Sequence, residues 1–115
     1  GQGAVGCFVS ILATIESAVS ACEVSLPEGQ IAQQSAYKSI VFDYYARNVQ
    51  PATDVGSVSE RFDALVASQI ECANPLCANI DLVTSLADRL FSEAGEAEMT
   101  RMLSQPRLPV ANPCL

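Results

Sequence analysis

The residues best suited to chemistry in this sequence are its five cysteines, Cys7, Cys22, Cys72, Cys77 and Cys114. The chain contains no histidine, which excludes zinc sites and catalytic nucleophiles that depend on an imidazole. So many cysteines in a short chain are typical of an oxidising, extracellular setting, and we interpret them as disulfide candidates. Their odd number leaves one thiol free or bonded to a second chain.

The spacing of the cysteines restricts which of them can pair. On one straight helix, Cys7 and Cys22 would lie about 22 Å apart, whereas the Cα atoms of bridged cysteines lie within about 7 Å of each other. These two therefore do not pair unless that helix breaks. We prefer a bond from Cys22 to Cys72 or Cys77 and a bond from Cys114 to another of the set, with one cysteine left over. Other connectivities stay open.

Carboxylates are the remaining candidates for chemistry: Glu93, Glu96 and Glu98 form one cluster, and Asp81 and Asp88 lie on one predicted helix. A glycosidase-like pair would need two acids facing each other across a cleft in different environments. The sequence indicates no cleft, and acidic side chains are mostly exposed. We therefore interpret them as solvated helix faces, and we predict no enzymatic activity, no metal site and no cofactor.

An ion pair in the interior is a further hypothesis. Asp81 has three candidate basic partners, Arg47, Arg61 and Arg89, one of which could reach inward to it and form a semi-buried pair. The alternative is a pair at the surface, which stabilises the fold by at most about 1 kcal/mol. Buried pairs are uncommon, because both charged groups need additional hydrogen bonds in the interior.

Tyr37, Tyr44 and Tyr45 follow one stripe of a predicted helix. Aromatic stripes at helical spacing are usually core, so we favour packing. The alternative is that these tyrosines line a pocket for a lipid or sterol.

The composition excludes two classes of partner. A net charge of −7, with a single lysine, argues against nucleic acid and against an anionic membrane surface. No apolar run approaches the roughly 18 residues that span a membrane. The apolar stretch from Gly6 to Ala21 is similar in composition to a signal peptide. Because Glu16 lies in its middle, we assign this stretch to the folded domain.

Apolar residues recur every three or four positions in five segments, the pattern of amphipathic helices. We predict helices over Ala4 to about Val24, Gln30–Asn48, a third segment ending near Ile70, Asn79–Ala94 and Glu96–Ser104. The aromatic second helix should be central, and Gly95 should separate the last two. We predict one domain over 1–115: an all-α, disulfide-braced bundle of about five helices, with a proline-rich tail, 104–115, tied by Cys114.

Local signals mark where several of these helices begin and end. Thr53, Asp54 and Ser57 are N-cap candidates for the third helix, with Ser57 and Glu60 spaced as a capping box. Asn79 is the N-cap candidate for the fourth helix. Before it, Asn74-Pro75 breaks the backbone between the two helices.

The segment around this break resembles the C-terminal, non-repetitive domain of spider silk proteins, the spidroins. That family carries a helix ending in Val-Val-Ser-Gln-Ile, then Asn-Pro, then a helix of the form Leu-Val-x-x-Leu-Leu-Glu. The matching residues here are Val66-Ala67-Ser68-Gln69-Ile70, Asn74-Pro75, and Asp81-Leu82-Val83 with Leu86 and Asp88. The resemblance implies a five-helix domain that dimerises, buries an acid–arginine pair (Asp81 with Arg47 or Arg61) and controls fibre assembly. Silk domains usually have one cysteine and lack this tail.

A second stretch is similar to the elicitins, secreted sterol-carrying proteins of oomycetes. Gln33-Gln34-Ser35-Ala36-Tyr37-Lys38-Ser39-Ile40-Val41 resembles their first helix, and Cys72-Ala73-Asn74-Pro75-Leu76-Cys77 resembles their Cys-Ala-x-x-x-Cys. Elicitins have six cysteines. Two of these are missing here, although the cysteines to which they would be bonded are present. The resemblance implies a small sterol-binding protein and ranks second.

These observations favour a secreted, silk-terminal-domain-like association domain that mediates dimerisation and control of fibre assembly. A symmetric homodimer is the default assembly, with or without a disulfide between the chains. Protonation of Glu93, Glu96 and Glu98 near their ordinary pKa of about 4.3 would relieve repulsion between copies. The alternative is a small secreted protein that binds a lipid or sterol.

Overall fold

Five segments with apolar residues at helical spacing form five α-helices. The computed structural model describes residues 4–48, 53–71 and 77–104, with side chains from residue 8 onward. Its helices, in chain order, are α1 (Ala4–Ala21), α2 (Glu28–Asn48), α3 (Val55–Glu71), α4 (Ile80–Leu90) and α5 (Glu93–Leu103). The described residues include no strand, and the prediction of an all-α bundle of about five helices is confirmed.

The central element of the bundle is α1, which contacts each of the other four helices. It is buried on opposite sides, because Leu12 and Ile15 on one face and Ala13 and Ser17 on the other are fully inaccessible to solvent. The short side chains of the second face allow a neighbouring helix to approach closely. The expectation that the aromatic helix is central is therefore wrong: the outward face of α2 carries charged residues such as Asp43 and is exposed.

Aromatic side chains complete the core around α1. The rings of Tyr37 and Phe91 meet edge to face at 5.3 Å, and those of Phe42 and Phe62 lie 5.0 Å apart. Such contacts contribute about 0.5–1.5 kcal/mol each beyond the burial of their surface. The other large core residues come from all five helices: Phe8, Leu12, Ile15, Val41, Tyr44, Val66, Val83, Leu90, Met99 and Met102. The aromatic residues of α2 thus join it to α3 and to the end of α4.

Polar groups fix the starts of α3 and α4. The Asp54 carboxylate accepts a hydrogen bond from the Ser57 backbone N–H at 2.7 Å and so caps α3. The proposed capping box of Ser57 and Glu60 is wrong, since both residues lie inside the helix. Asn79 occupies the predicted N-cap position of α4, where its carbonyl accepts the backbone N–H of Val83 at 3.2 Å.

The break between α4 and α5 lies three residues before the predicted one. α4 ends at Leu90, and the Ser92 hydroxyl accepts the Gly95 N–H at 3.1 Å, which caps α5. Gly95 is therefore in the first turn of α5 and does not interrupt a helix. A Cβ atom there would lie 2.2 Å from the carbonyl oxygen of Leu90 and 2.4 Å from that of Arg89. The absence of a side chain allows α5 to turn tightly against the end of α4.

We expect Gly95→Ala to destabilise the domain by about 1–3 kcal/mol, because the added methyl group meets two backbone carbonyls that cannot rotate away. Urea unfolding measures the change. Gly29→Ala is the matched control: Gly29 lies in the first turn of α2, and a Cβ atom added there would have nothing within 4 Å. This control should be neutral or stabilising by up to about 1 kcal/mol. Equal stability of Gly95→Ala and the wild type would contradict the packing described.

A disulfide joins Cys22, just after α1, to Cys77, just before α4, with a Cα–Cα distance of 5.5 Å. The bond agrees with the preferred pairing of Cys22 with Cys72 or Cys77, and it excludes a bond between Cys7 and Cys22. The side chain of Cys7, and all of Cys72 and Cys114, lie outside the described residues, as does the tail from 105 onward.

Removal of this disulfide in a Cys22→Ser/Cys77→Ser variant should lower the free energy of unfolding by about 2–4 kcal/mol. The bond closes a loop across a sequence separation of 55 residues, and its loss enlarges the unfolded ensemble. Denaturant unfolding of the oxidised proteins measures the difference. The corresponding double alanine variant controls for the added hydroxyls, and an unchanged midpoint in both variants would refute a bracing role.

Candidate functional site

Three glutamines in the first turns of α2 position this helix on the bundle. The side-chain amide of Gln34 donates a hydrogen bond to the Leu12 carbonyl of α1, and that of Gln33 donates to the Phe91 carbonyl, both at 2.9 Å. Gln30 donates to the Asp88 carboxylate at the same distance. Sequence reasoning gave these residues no structural role, although their spacing of three and four places them on one helix side.

An exposed apolar surface lies where α2 crosses the second half of α1. Its accessible side chains are Val19, Leu26 and Ile31, which lie over the buried Ile15, and we call it the α1–α2 surface. Val19 is 40% exposed and Ile31 is 53% exposed, and they border a shallow concavity of about 250 Å³. Neighbouring exposed apolar residues of this kind often mark a contact with another molecule.

The edge of the α1–α2 surface carries one charge of each sign. The Lys38 ammonium lies 2.6 Å from the Glu16 carboxylate, and both side chains are about three-quarters buried. The same ammonium lies 4.8 Å from the centre of the Phe62 ring, within the range of a cation–π interaction. The only lysine of the chain is therefore held in place between α1, α2 and α3.

A second concavity, the α1–α2–α3 groove, has a volume of about 220 Å³. Its lining consists of Val9, Phe42, Tyr45, Val58, Arg61, Phe62 and Leu65. Arg61 is the only charged residue in that lining. Burial raises the pKa of the Tyr45 hydroxyl, with a smaller contribution from Tyr44, so Tyr45 is neutral at physiological pH.

The three tyrosines do not line one pocket. Tyr37 and Tyr44 are core residues, with exposed fractions of 4% and 2%, and only Tyr45 borders a groove. The Tyr37 hydroxyl has no hydrogen-bond partner among the described residues, and burial, followed by the nearby Glu96, raises its pKa. A lipid pocket lined by all three tyrosines is therefore wrong, since two of them fill the interior.

The hypothesis of a buried acid–arginine pair is also wrong. Asp81, in the first turn of α4, is exposed, and Arg61 is exposed at the α1–α2–α3 groove. Arg47 lies on the outward face of α2 and binds Asp43, one turn away, at 3.0 Å. A nearer acid on its own helix thus pairs with Arg47 at the surface, where such a pair contributes little.

The acidic cluster of α5 is exposed, as the solvated-face interpretation requires. Glu93, Glu96 and Glu98 all face solvent, and Glu98 forms two hydrogen bonds with the guanidinium of Arg101. These bonds hold the pKa of the Glu98 carboxyl below its usual value. The pKa of Glu98 is therefore lower than the ordinary value that the hypothesis of three acids protonating together assumed.

Arg101→Gln should raise the pKa of Glu98 towards its ordinary value, because the hydrogen bonds to the ionised form are lost. Since pairing lowers the folded-state pKa, its stabilising effect is present above the unfolded-state pKa and disappears as pH falls through the folded-state pKa. Carboxyl ¹³C NMR titration measures the midpoint. Arg47→Gln, with the same charge change but paired to Asp43, should leave Glu98 unchanged. The same Glu98 midpoint in Arg101→Gln and the wild type would disprove the pairing.

Comparison with known proteins places the chain in no family: no family model, no curated protein and no solved structure matches it. Within the described ranges, no group of three or more cysteine, aspartate or glutamate side chains is arranged to hold a metal ion. No helix in the described part of the chain is both long and apolar enough to cross a membrane. We take two of the apolar concavities beside α1, the α1–α2 surface and the α1–α2–α3 groove, as the candidate functional sites.

Proposed function

We propose that this protein is a secreted association domain that forms a homodimer through the α1–α2 surface. The observation that carries the proposal is the exposure of Val19 and Ile31 side by side on a concave surface. A standard interface takes about 800 Å² from each partner, roughly an eighth of the 6703 Å² surface of this chain. The accessible apolar side chains of this surface, Val19, Leu26 and Ile31, would form the centre of such an interface.

The charges at the edge of this surface support a second copy as its partner. Each chain carries a net charge of −7, so two copies repel each other over most of their surfaces. At the α1–α2 surface, Glu16 is neutralised by Lys38. A twofold axis through an interface brings the same patch together on both copies, and an axis close to this ion pair would place each lysine near the glutamate of the other copy. A patch that carries both signs is self-complementary in this arrangement.

The cysteines bear on how the two copies are held. Of the five in the sequence, the Cys22–Cys77 bond uses two. Three remain, so at least one of the three has no partner within its own chain. We include a disulfide between chains, and the control of fibre assembly that the silk resemblance implies, in the proposal. A non-reducing gel beside size-exclusion chromatography separates covalent from non-covalent association.

Ile31→Asp should weaken the dimer at least tenfold, because it puts a charge at the centre of the apolar contact. Ile40→Asp is the control: it lies on the same helix, half a turn around from Ile31, and is 48% exposed. Sedimentation equilibrium measures both. We expect a dimeric wild type, a dimeric Ile40→Asp and a largely monomeric Ile31→Asp. A wild type that is monomeric at all concentrations, or equal effects of the two substitutions, would overturn the proposal.

A further inference from the structure

The α1–α2–α3 groove combines an apolar interior with one exposed cation. Six of its lining residues are apolar or aromatic, and the seventh is Arg61. The ion pairs among the described residues use Lys38, Arg47 and Arg101, and none of them uses Arg61. Arg61 is exposed, so its guanidinium can bind a carboxylate without first breaking an internal pair.

The groove is also a place where an anion meets little repulsion. The chain as a whole is strongly acidic, with 13 acidic residues against six basic ones, yet no acidic side chain lines this groove. Asp43, which follows the lining residue Phe42 in the sequence, is bound by Arg47. The Lys38 ammonium also lies near the groove, 5.9 Å from the ring of Phe42 and 4.8 Å from that of Phe62, but it is already paired with Glu16, so Arg61 is the cation that a ligand in the groove would meet.

The volume of the groove is that of a short alkyl chain. A volume of about 220 Å³ holds roughly seven groups of the size of a water molecule, at about 30 Å³ each, and a methylene group is of similar size. A linear alkyl chain of about seven carbons, the length of the tail of octanoate, matches this volume.

From these features we infer that the α1–α2–α3 groove binds a medium-chain fatty acid. Arg61 would bind the carboxylate through charge-assisted hydrogen bonds, which its planar guanidinium can form in pairs. The alkyl chain would lie against Phe42, Tyr45 and Leu65. The lining residues of this site differ from those of the α1–α2 surface. A test of fatty-acid binding is therefore independent of the proposed dimer.

Titration of the intact, oxidised protein with sodium octanoate, followed by NMR, tests this site. We expect saturable binding in the millimolar range, given the small size of the ligand, with shift changes at Val58, Phe62 and Leu65. Arg61→Gln should weaken binding about tenfold or more, because it removes the partner of the carboxylate. Arg61→Lys keeps the charge and should retain most of the affinity.

Two controls make the result specific. Arg47→Gln removes an equal charge outside the groove and should leave octanoate binding unchanged, and octylammonium, with the opposite charge, should not bind saturably. Equal octanoate affinity of Arg61→Gln and the wild type, or shift changes confined to the α1–α2 surface, would overturn the inference. The inference of a fatty-acid site would also be overturned if octanoate did not bind and Leu65→Asp converted a dimer to monomers. In that case the groove would be a contact between two copies.

Discussion

The burial of the small-residue face of α1 is the constraint on which the rest of the structure depends. Ser17, fully buried on that face, donates its hydroxyl proton to the Ala13 carbonyl at 2.7 Å, and its oxygen lies 2.8 Å from the Gln69 side chain of α3. The Gln69 atom that faces Ser17 is its carbonyl oxygen, so the one hydroxyl proton has two acceptors within reach, the Ala13 carbonyl and Gln69. A polar contact between α1 and α3 is thus satisfied inside the core, where an unpaired hydroxyl would be costly.

A helix that contacts four neighbours has consequences for the surface of the domain. Where two neighbours of α1 separate, residues of α1 line the concavity between them. Three concavities of the described structure are lined in part by α1. Ile15 and Val19 contribute to the α1–α2 surface, and Val9 contributes to the α1–α2–α3 groove. Phe8 and Ile11 border a third, of about 460 Å³, beside α4 and α5. The same packing that builds the core therefore also shapes the candidate sites.

Periodicity was enough to predict the helices, because an apolar stripe must face a core whatever its neighbours are. Periodicity was not enough to predict which helix is central. The burial of Ala13 and Ser17 depends on how closely α3 approaches α1, and no local sequence pattern contains that information. The end of α4 was misplaced for a similar reason: Gly95 looked like a helix breaker, whereas Ser92 supplies the cap. The candidate sites combine residues from distant segments, so sequence alone pointed to Tyr45 and Arg61 without relating them.

Native-state hydrogen exchange of the oxidised protein tests the central position of α1 most directly. If α1 is the helix around which the others pack, the amides of Leu12, Ile15 and Ala18 should exchange only through global unfolding. Their opening free energies should then equal the free energy of unfolding from urea denaturation. Exchange of these amides through local opening, at a lower free energy than the slowest amides of α3 or α4, would contradict the account.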